Sequence, residues 1–310
     1  MKKNLIFLLL FFLNTSESFG DDNYEKKDPV CPKIDKNYSK INSGIFISGS
    51  SDEEKTKALE VLSSVIPNLR EREPNIHEKE LPEFEISKKL VTQSEFRLFV
   101  RWTGYRSPSI TLNEWEIQKR TFDFQPPPSL TFDLIEDYIW DGTRYPEGLS
   151  NHPVVLVSRK DAEEYAKWLS TQDGCIYRLP TAEEWEKAAR GKDGRTYPWG
   201  NTWDSSYLNA EKHKKSTSEV GEYGKDKSPY GMLDAMGNVM EWTSKTTETD
   251  DKNMINRAIT KGCSWQSIRE TCRAAFFREW NENTKHMLIG FRLVREVPQK
   301  EETQKPESEN

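Results

Sequence analysis

The chain has 310 residues, with 45 Lys+Arg against 51 Asp+Glu and a formal net charge of −6 at pH 7. Hydrophobic residues make up 35% and charged residues 31%, too polar for a bundle of membrane spans, while 10 Trp, 11 Tyr and 14 Phe exclude a disordered chain. The acidic balance excludes a general nucleic-acid binder, which carries a basic footprint.

The chain opens like a secretory signal. Lys2 and Lys3 precede an unbroken apolar run, Leu5 to Leu13, and Ser18-Phe19-Gly20 offers small residues at a cleavage position. A bilayer span needs roughly 20 apolar residues, and neither this run nor any later one is long enough. Residues 1–20 are therefore read as a signal peptide, and the protein as exported, periplasmic or extracellular, with no transmembrane segment. Residues 21–37 form a polar lead-in, and 298–310 a solvated, disordered tail. With no repeat and no linker between them, residues 38–297 read as one domain.

Within it, Gly44 to Ser48 reads as a strand, and Asp52 to Val65 as a helix with Ala58, Leu59, Leu62 and Val65 as its stripe. Phe84 to Ile86 reads as a second strand. Thr92 with Glu95, Ser158 with Asp161, and Thr181 with Glu184 are three capping boxes, each opening a helix. Their stripes are Phe96, Phe99 and Val100; Ala162, Tyr165, Ala166 and Leu169; Trp185, Ala188 and Ala189. Val154 to Val157 and Ile289 to Val294 read as strands. Gly191 to Trp242 is rich in Gly, Pro, Trp and Tyr without a period. It reads as ordered loop, because its aromatics need burial. Cys31, Cys175, Cys263 and Cys272 are too few for a disulfide scaffold. Export permits pairing, and Cys263 with Cys272 is the nearest pair in sequence.

The ordered motifs resemble the formylglycine-generating enzyme family, also called the sulfatase-modifying-factor family. They are RLPTAEEWEKAARG at 178–191, RTYPWGN at 195–201, SPYGMLDAMGNVMEWTS at 228–244, KGCSW at 261–265 and IGFRLVR at 289–295. Upstream, SGIFISGS, FEISKKLVTQSEFRLFVRWTGY and HPVVLVSRKDAEEYAKWLS fit as well. The resemblance covers nearly all of 38–297. It implies a compact, loop-rich α+β domain, a variant of the C-type-lectin-like fold. The family includes copper-dependent oxidases that convert a sulfatase Cys to formylglycine, oxidative enzymes with an iron-binding helical domain, and non-catalytic exported proteins.

The oxidase resemblance calls for two active-site cysteines, because paired thiolates give copper(I) a soft linear site. Ser267 stands at the first position and Cys272 at the second; a serine hydroxyl is a poor copper(I) ligand. Met240 stands at an active-site Trp position, and Cys263 replaces a turn glycine. A remodelled redox site would use Cys272, Cys263 and Ser264. The plainer alternative makes Cys272 a small buried residue or half of a disulfide, and Ser264 a turn residue. His77, His152, His213 and His286 are scattered without ligand spacing, against the iron class. The resemblance also implies a calcium site from the side chains of Asp234 and Glu241 with the carbonyls of Gly237 and Val239, a donor set that suits calcium. The family's second calcium site, near Asn209-Ala210, lacks its Asp-containing partner loop. Arg269, Arg273 and Trp265 are candidates for ligand binding, since Arg beside aromatics suits a carboxylate, phosphate or sugar. Structural ion pairs are their alternative. Lys212 to Lys215 reads as a solvated basic loop.

The expected function is thus an exported family member without formylglycine oxidase activity, acting as a binding or scaffolding module for a protein, peptide or glycan. Two alternatives are a copper oxidoreductase with rearranged thiols and a calcium-assisted glycan binder.

Overall fold

A computed structural model of the chain describes residues 31–32, 35–64, 73–122, 130–244 and 257–296. The signal at 1–20, the tail at 298–310 and Val65 lie outside the described residues. Three small sheets organise it. The first orders β1 (Tyr38–Ile41), β4 (Phe84–Ser87), β10 (Val294–Glu296) and β5 (Ile176–Arg178), all antiparallel. The second is a hairpin of β2 (Gly44–Ser48) and β3 (His77–Leu81). The third orders β8 (Phe277–Asn281), β7 (Arg257–Lys261), β6 (Met240–Trp242) and β9 (Ile289–Gly290), with β6 and β9 parallel.

The α-helices among the described residues are α1 (Asp52–Leu62), α2 (Gln93–Thr103), α3 (Leu112–Lys119), α4 (Asp133–Glu136), α5 (Arg159–Asp173) and α6 (Ala182–Arg190). Five of these six begin at a capping box, and the short α4 has none. In α2, the Thr92 hydroxyl accepts the Glu95 amide while the Glu95 carboxylate accepts the Thr92 amide, and Gly104 ends the helix in the left-handed region at φ 70°. Ser158 and Thr181 do the same for α5 and α6.

The α2 and α5 stripes meet: Phe96 stacks on Tyr165 at 5.5 Å, and Phe291 packs edge-on against both. A second apolar cluster surrounds α6, joining Trp185, Ala188 and Ala189 to Met232, Met236, Cys263 and Cys272. Burial here reaches beyond the α6 stripe. Glu186, Lys187 and Arg190 are buried too, and Glu186 lies between Arg190 and Lys261 at 2.9 and 3.2 Å. Burial works against its charge, but Lys261 and Arg190 hold its carboxyl below the usual range.

Three expectations change. Ile289 to Val294 is not one strand: it divides into β9 of the third sheet and β10 of the first, with 291–293 outside both. Val154 to Val157 is buried but is not a strand: Val154 donates to Val91, Leu156 donates to His286, and Leu156 turns to φ 57°. The lead-in is not wholly solvated, because Cys31 is buried and joined by a disulfide to Cys175. No helix among the described residues is long and apolar enough to cross a membrane.

Candidate functional site

The segment joining β7 to β8 holds the residues singled out for chemistry. Gly262 leaves β7 at φ 74°, and a β-carbon there would sit 3.1 Å from the Trp185 ring. Next, a tight turn closes on itself. The Ser264 amide donates to the Ser267 hydroxyl at 2.9 Å, the Ser267 amide returns to the Ser264 carbonyl at 2.9 Å, and the two hydroxyls lie 3.1 Å apart. The turn is tied down from outside. Trp265 donates to Asn238, while the amides of Glu211 and Lys212 donate to the carbonyls of Ser267 and Trp265.

Both sulfurs of the segment are engaged. Cys263 and Cys272 form a disulfide with Cα atoms 5.0 Å apart, and both residues are buried. The Gly237 amide donates to Cys263 Sγ at 3.1 Å. There is no free cysteine among the described residues. A thiolate is the species that binds a soft metal or attacks as a nucleophile, and neither sulfur is one here. Ser267, which the resemblance alone sets against the first active-site Cys, uses its Oγ to shape the turn. So the structure brings Cys263, Ser264, Ser267 and Cys272 together, as a staple and a cap.

The three ligand candidates separate. Trp265 is buried in the larger apolar core. Arg273 is buried against Glu73, donating at 2.8 and 2.5 Å, and to the Ser50 hydroxyl at 2.8 Å. Lys55 caps the Glu73 carbonyl at 2.6 Å, so the region around α1 is pinned over this segment. Arg269 alone of the three is exposed, in a short 3₁₀ turn at Arg269–Thr271, where the neighbouring Tyr197 side chain raises its pKa.

The donors implied for calcium have partners of their own. Both carboxylate oxygens of Glu241 accept from Arg292, at 2.6 and 2.8 Å. The same guanidinium reaches the carbonyls of Leu233 and Asp234 at 3.0 and 3.1 Å. The Asp234 carboxylate accepts the Gly221 amide at 2.6 Å; burial pushes its pKa up to about 6, against that amide and Arg292. Asp226, missed in the sequence, accepts the Met236 amide with both oxygens at 2.9 and 3.1 Å, and burial drives its pKa well up. Gly237 approaches Asn209 so closely that a β-carbon would lie 2.7 Å from its carbonyl oxygen, and Val239 is buried beside it. Among the described residues, no three His, Cys, Asp or Glu side chains converge as a metal group. Calcium fits this donor set poorly, because Glu241, one of its two carboxylates, already holds the Arg292 guanidinium with both oxygens.

A feature overlooked in the sequence lies beside Arg269. Tyr197, Trp199, Trp203 and Tyr207 form one ring cluster in the loop after α6. Their density was visible, but aromatic composition does not say which rings reach the surface.

This architecture and these motifs have known counterparts. PvdO from Pseudomonas aeruginosa superposes with a TM-score of 0.59 over 84% of this chain and 94% of that one, at 20% identity, which supports the fold alone. The inactive C-alpha-formylglycine-generating enzyme 2 of Bos taurus is 31% identical over 226 residues, covering 64% of this chain and 71% of that protein. The formylglycine-generating enzyme of Mycobacterium tuberculosis is 31% identical over 231 residues, covering 62% and 73%. The model of the sulfatase-modifying factor enzyme 1-like domain matches residues 33–297, and this chain belongs to that family.

Proposed function

We propose that this protein is a non-catalytic member of the family, exported and used as a binding or scaffolding module. One observation carries the reading: Cys272 is buried in a disulfide with Cys263; the resemblance sets Cys272 at the second reactive position and Ser267 at the first. The copper chemistry needs two accessible thiolates, and this segment presents none. The likeness to proteins named as inactive supports the same reading. Export is supported by the signal-like start and by two disulfides, which persist in an oxidising compartment.

The test is direct. Purified protein is incubated with copper, oxygen and a Cys-containing sulfatase peptide, and the peptide is weighed by mass spectrometry. No aldehyde product is expected. Aldehyde formation that disappears in Cys272→Ala would overturn the reading in favour of an oxidoreductase with rearranged thiols.

A further inference from the structure

The loop from Arg195 to Tyr207 carries a surface that the thiol segment does not use. Tyr197 and Trp199 stack face to face, with ring centroids 5.4 Å apart and planes 9° apart. Trp203 lies against both, 5.3 Å from Tyr197 and 6.3 Å from Trp199, and Tyr207 meets Trp199 edge-on at 5.5 Å. Tyr197 is buried, whereas Trp199, Trp203 and Tyr207 are partly exposed. One ring roots the group and three reach solvent.

Polar groups border this shelf. The exposed Arg269 is an electrostatic neighbour of Tyr197, and Lys225 Nζ lies 4.5 Å from the centre of the Tyr207 ring. Asp204 lies in the chain between Trp203 and Tyr207, where its Oδ1 accepts the Ser206 amide at 3.0 Å and the Ser206 hydroxyl at 2.6 Å. The framework is held internally. Trp199 Nε1 donates to the Thr202 carbonyl at 2.9 Å, Tyr197 and Gly200 exchange backbone hydrogen bonds at 2.9 and 3.0 Å, and Ala274 donates to the Thr196 carbonyl at 2.9 Å. Rings fixed in advance lose little freedom when a ligand arrives.

We infer that this shelf binds a carbohydrate chain, with sugar rings lying on Trp199 and Trp203. The C–H face of a pyranose is slightly electropositive and matches the negative face of an indole. Sugar hydroxyls both donate and accept, which suits a rim carrying the donors of Arg269 and Lys225 and the acceptor of Asp204. A proline-rich peptide also docks on aromatic surfaces. Proline has no N–H, however, and would leave the Asp204 carboxylate without a donor from the ligand. The inference rests on the binding-module reading and gives it a ligand class.

The full chain is titrated with neutral oligosaccharides (cellopentaose and chitopentaose), with an acidic one (a hyaluronan hexasaccharide) and with an oligoproline peptide, read by tryptophan fluorescence and calorimetry. Saturable binding to at least one oligosaccharide is expected. Trp203→Ala should weaken it roughly tenfold or more, the scale of a lost aromatic anchor. Arg269→Ala, at an exposed side chain that leaves the fold intact, should weaken it severalfold. Three results would overturn the inference: no oligosaccharide binds, Arg269→Ala binds like the parent, or only oligoproline binds. Failure on sugars with no aldehyde formed removes the shelf and leaves the non-catalytic reading standing. Aldehyde formation removes that reading whatever the sugars do.

Discussion

Arg292 grips Glu241 by both carboxylate oxygens, Nε to Oε2 at 2.6 Å and Nη2 to Oε1 at 2.8 Å, with both side chains buried. A guanidinium in that position supplies the positive charge that the loop at 234–241 calls for. Melting curves recorded in millimolar calcium and in chelator should therefore coincide. A rise of several degrees with calcium would mean that an ion shares Glu241 with Arg292. Glu241→Ala strands the guanidinium, so it should cost about 3–5 kcal/mol in urea unfolding.

The disulfide from Cys263 to Cys272 closes a short loop, with a sequence separation of 9, and the one from Cys31 to Cys175 closes a long one, with a separation of 144. Chain entropy makes the long closure the more stabilising. Replacing Cys263 and Cys272 together by Ala should cost about 2–3 kcal/mol, and Cys31 with Cys175 about 4–5 kcal/mol. Urea unfolding of the two double variants gives the order. Alkylation of unreduced, denatured protein should label no cysteine.

His286 is fully buried among the rings of Trp115, Phe122 and Trp280, with centroids 5.3, 5.8 and 5.5 Å away. Its Nδ1 accepts the Leu288 amide, and its Nε2 has no protein partner. Burial, with Arg278 adding to it, lowers its pKa from 6.5 to about 3. The folded state keeps it neutral while the unfolded chain takes up a proton below the ordinary value. Its contribution to stability is complete above 6.5 and is lost as pH falls toward 3. Between pH 6.5 and 4.5 the parent should lose about 2–3 kcal/mol that His286→Leu does not lose. Equal losses in urea unfolding would contradict this.

Restoring the sulfur pattern should not restore chemistry. In Ser267→Cys, Cys272 remains paired with Cys263, and the new side chain inherits the place of a hydroxyl bonded to the Ser264 amide at 2.9 Å. Mass spectrometry of a sulfatase peptide incubated with this variant and copper should show no aldehyde.

The helices at Gln93, Arg159 and Ala182 were legible because a capping box is a local signal: the donors and acceptors involved lie three residues apart. The α3 helix carries the same signal, Thr111 with Glu114, yet buries only Trp115, so no apolar stripe announced it. Strand β3 is exposed along nearly its whole length and has no alternation to read. Val154 to Val157 shows the opposite failure, since a run buried on all sides looks the same whether or not it pairs. At the site, the resemblance located Ser267 and Cys272, and proximity suggested the pairing of Cys263. The grips of Arg292 on Glu241 and Arg273 on Glu73 join residues 51 and 200 positions apart, and no local pattern encodes them. Both join segments that only the complete fold brings together.

The bond from Cys31 to Cys175 has a mechanical consequence. Cys175 precedes β5, and in β5 Ile176 pairs with Glu296 of the last strand. The entry and exit of the domain therefore meet at one edge of one sheet. Tension applied between residues 31 and 296 crosses that edge and bypasses the rest of the molecule.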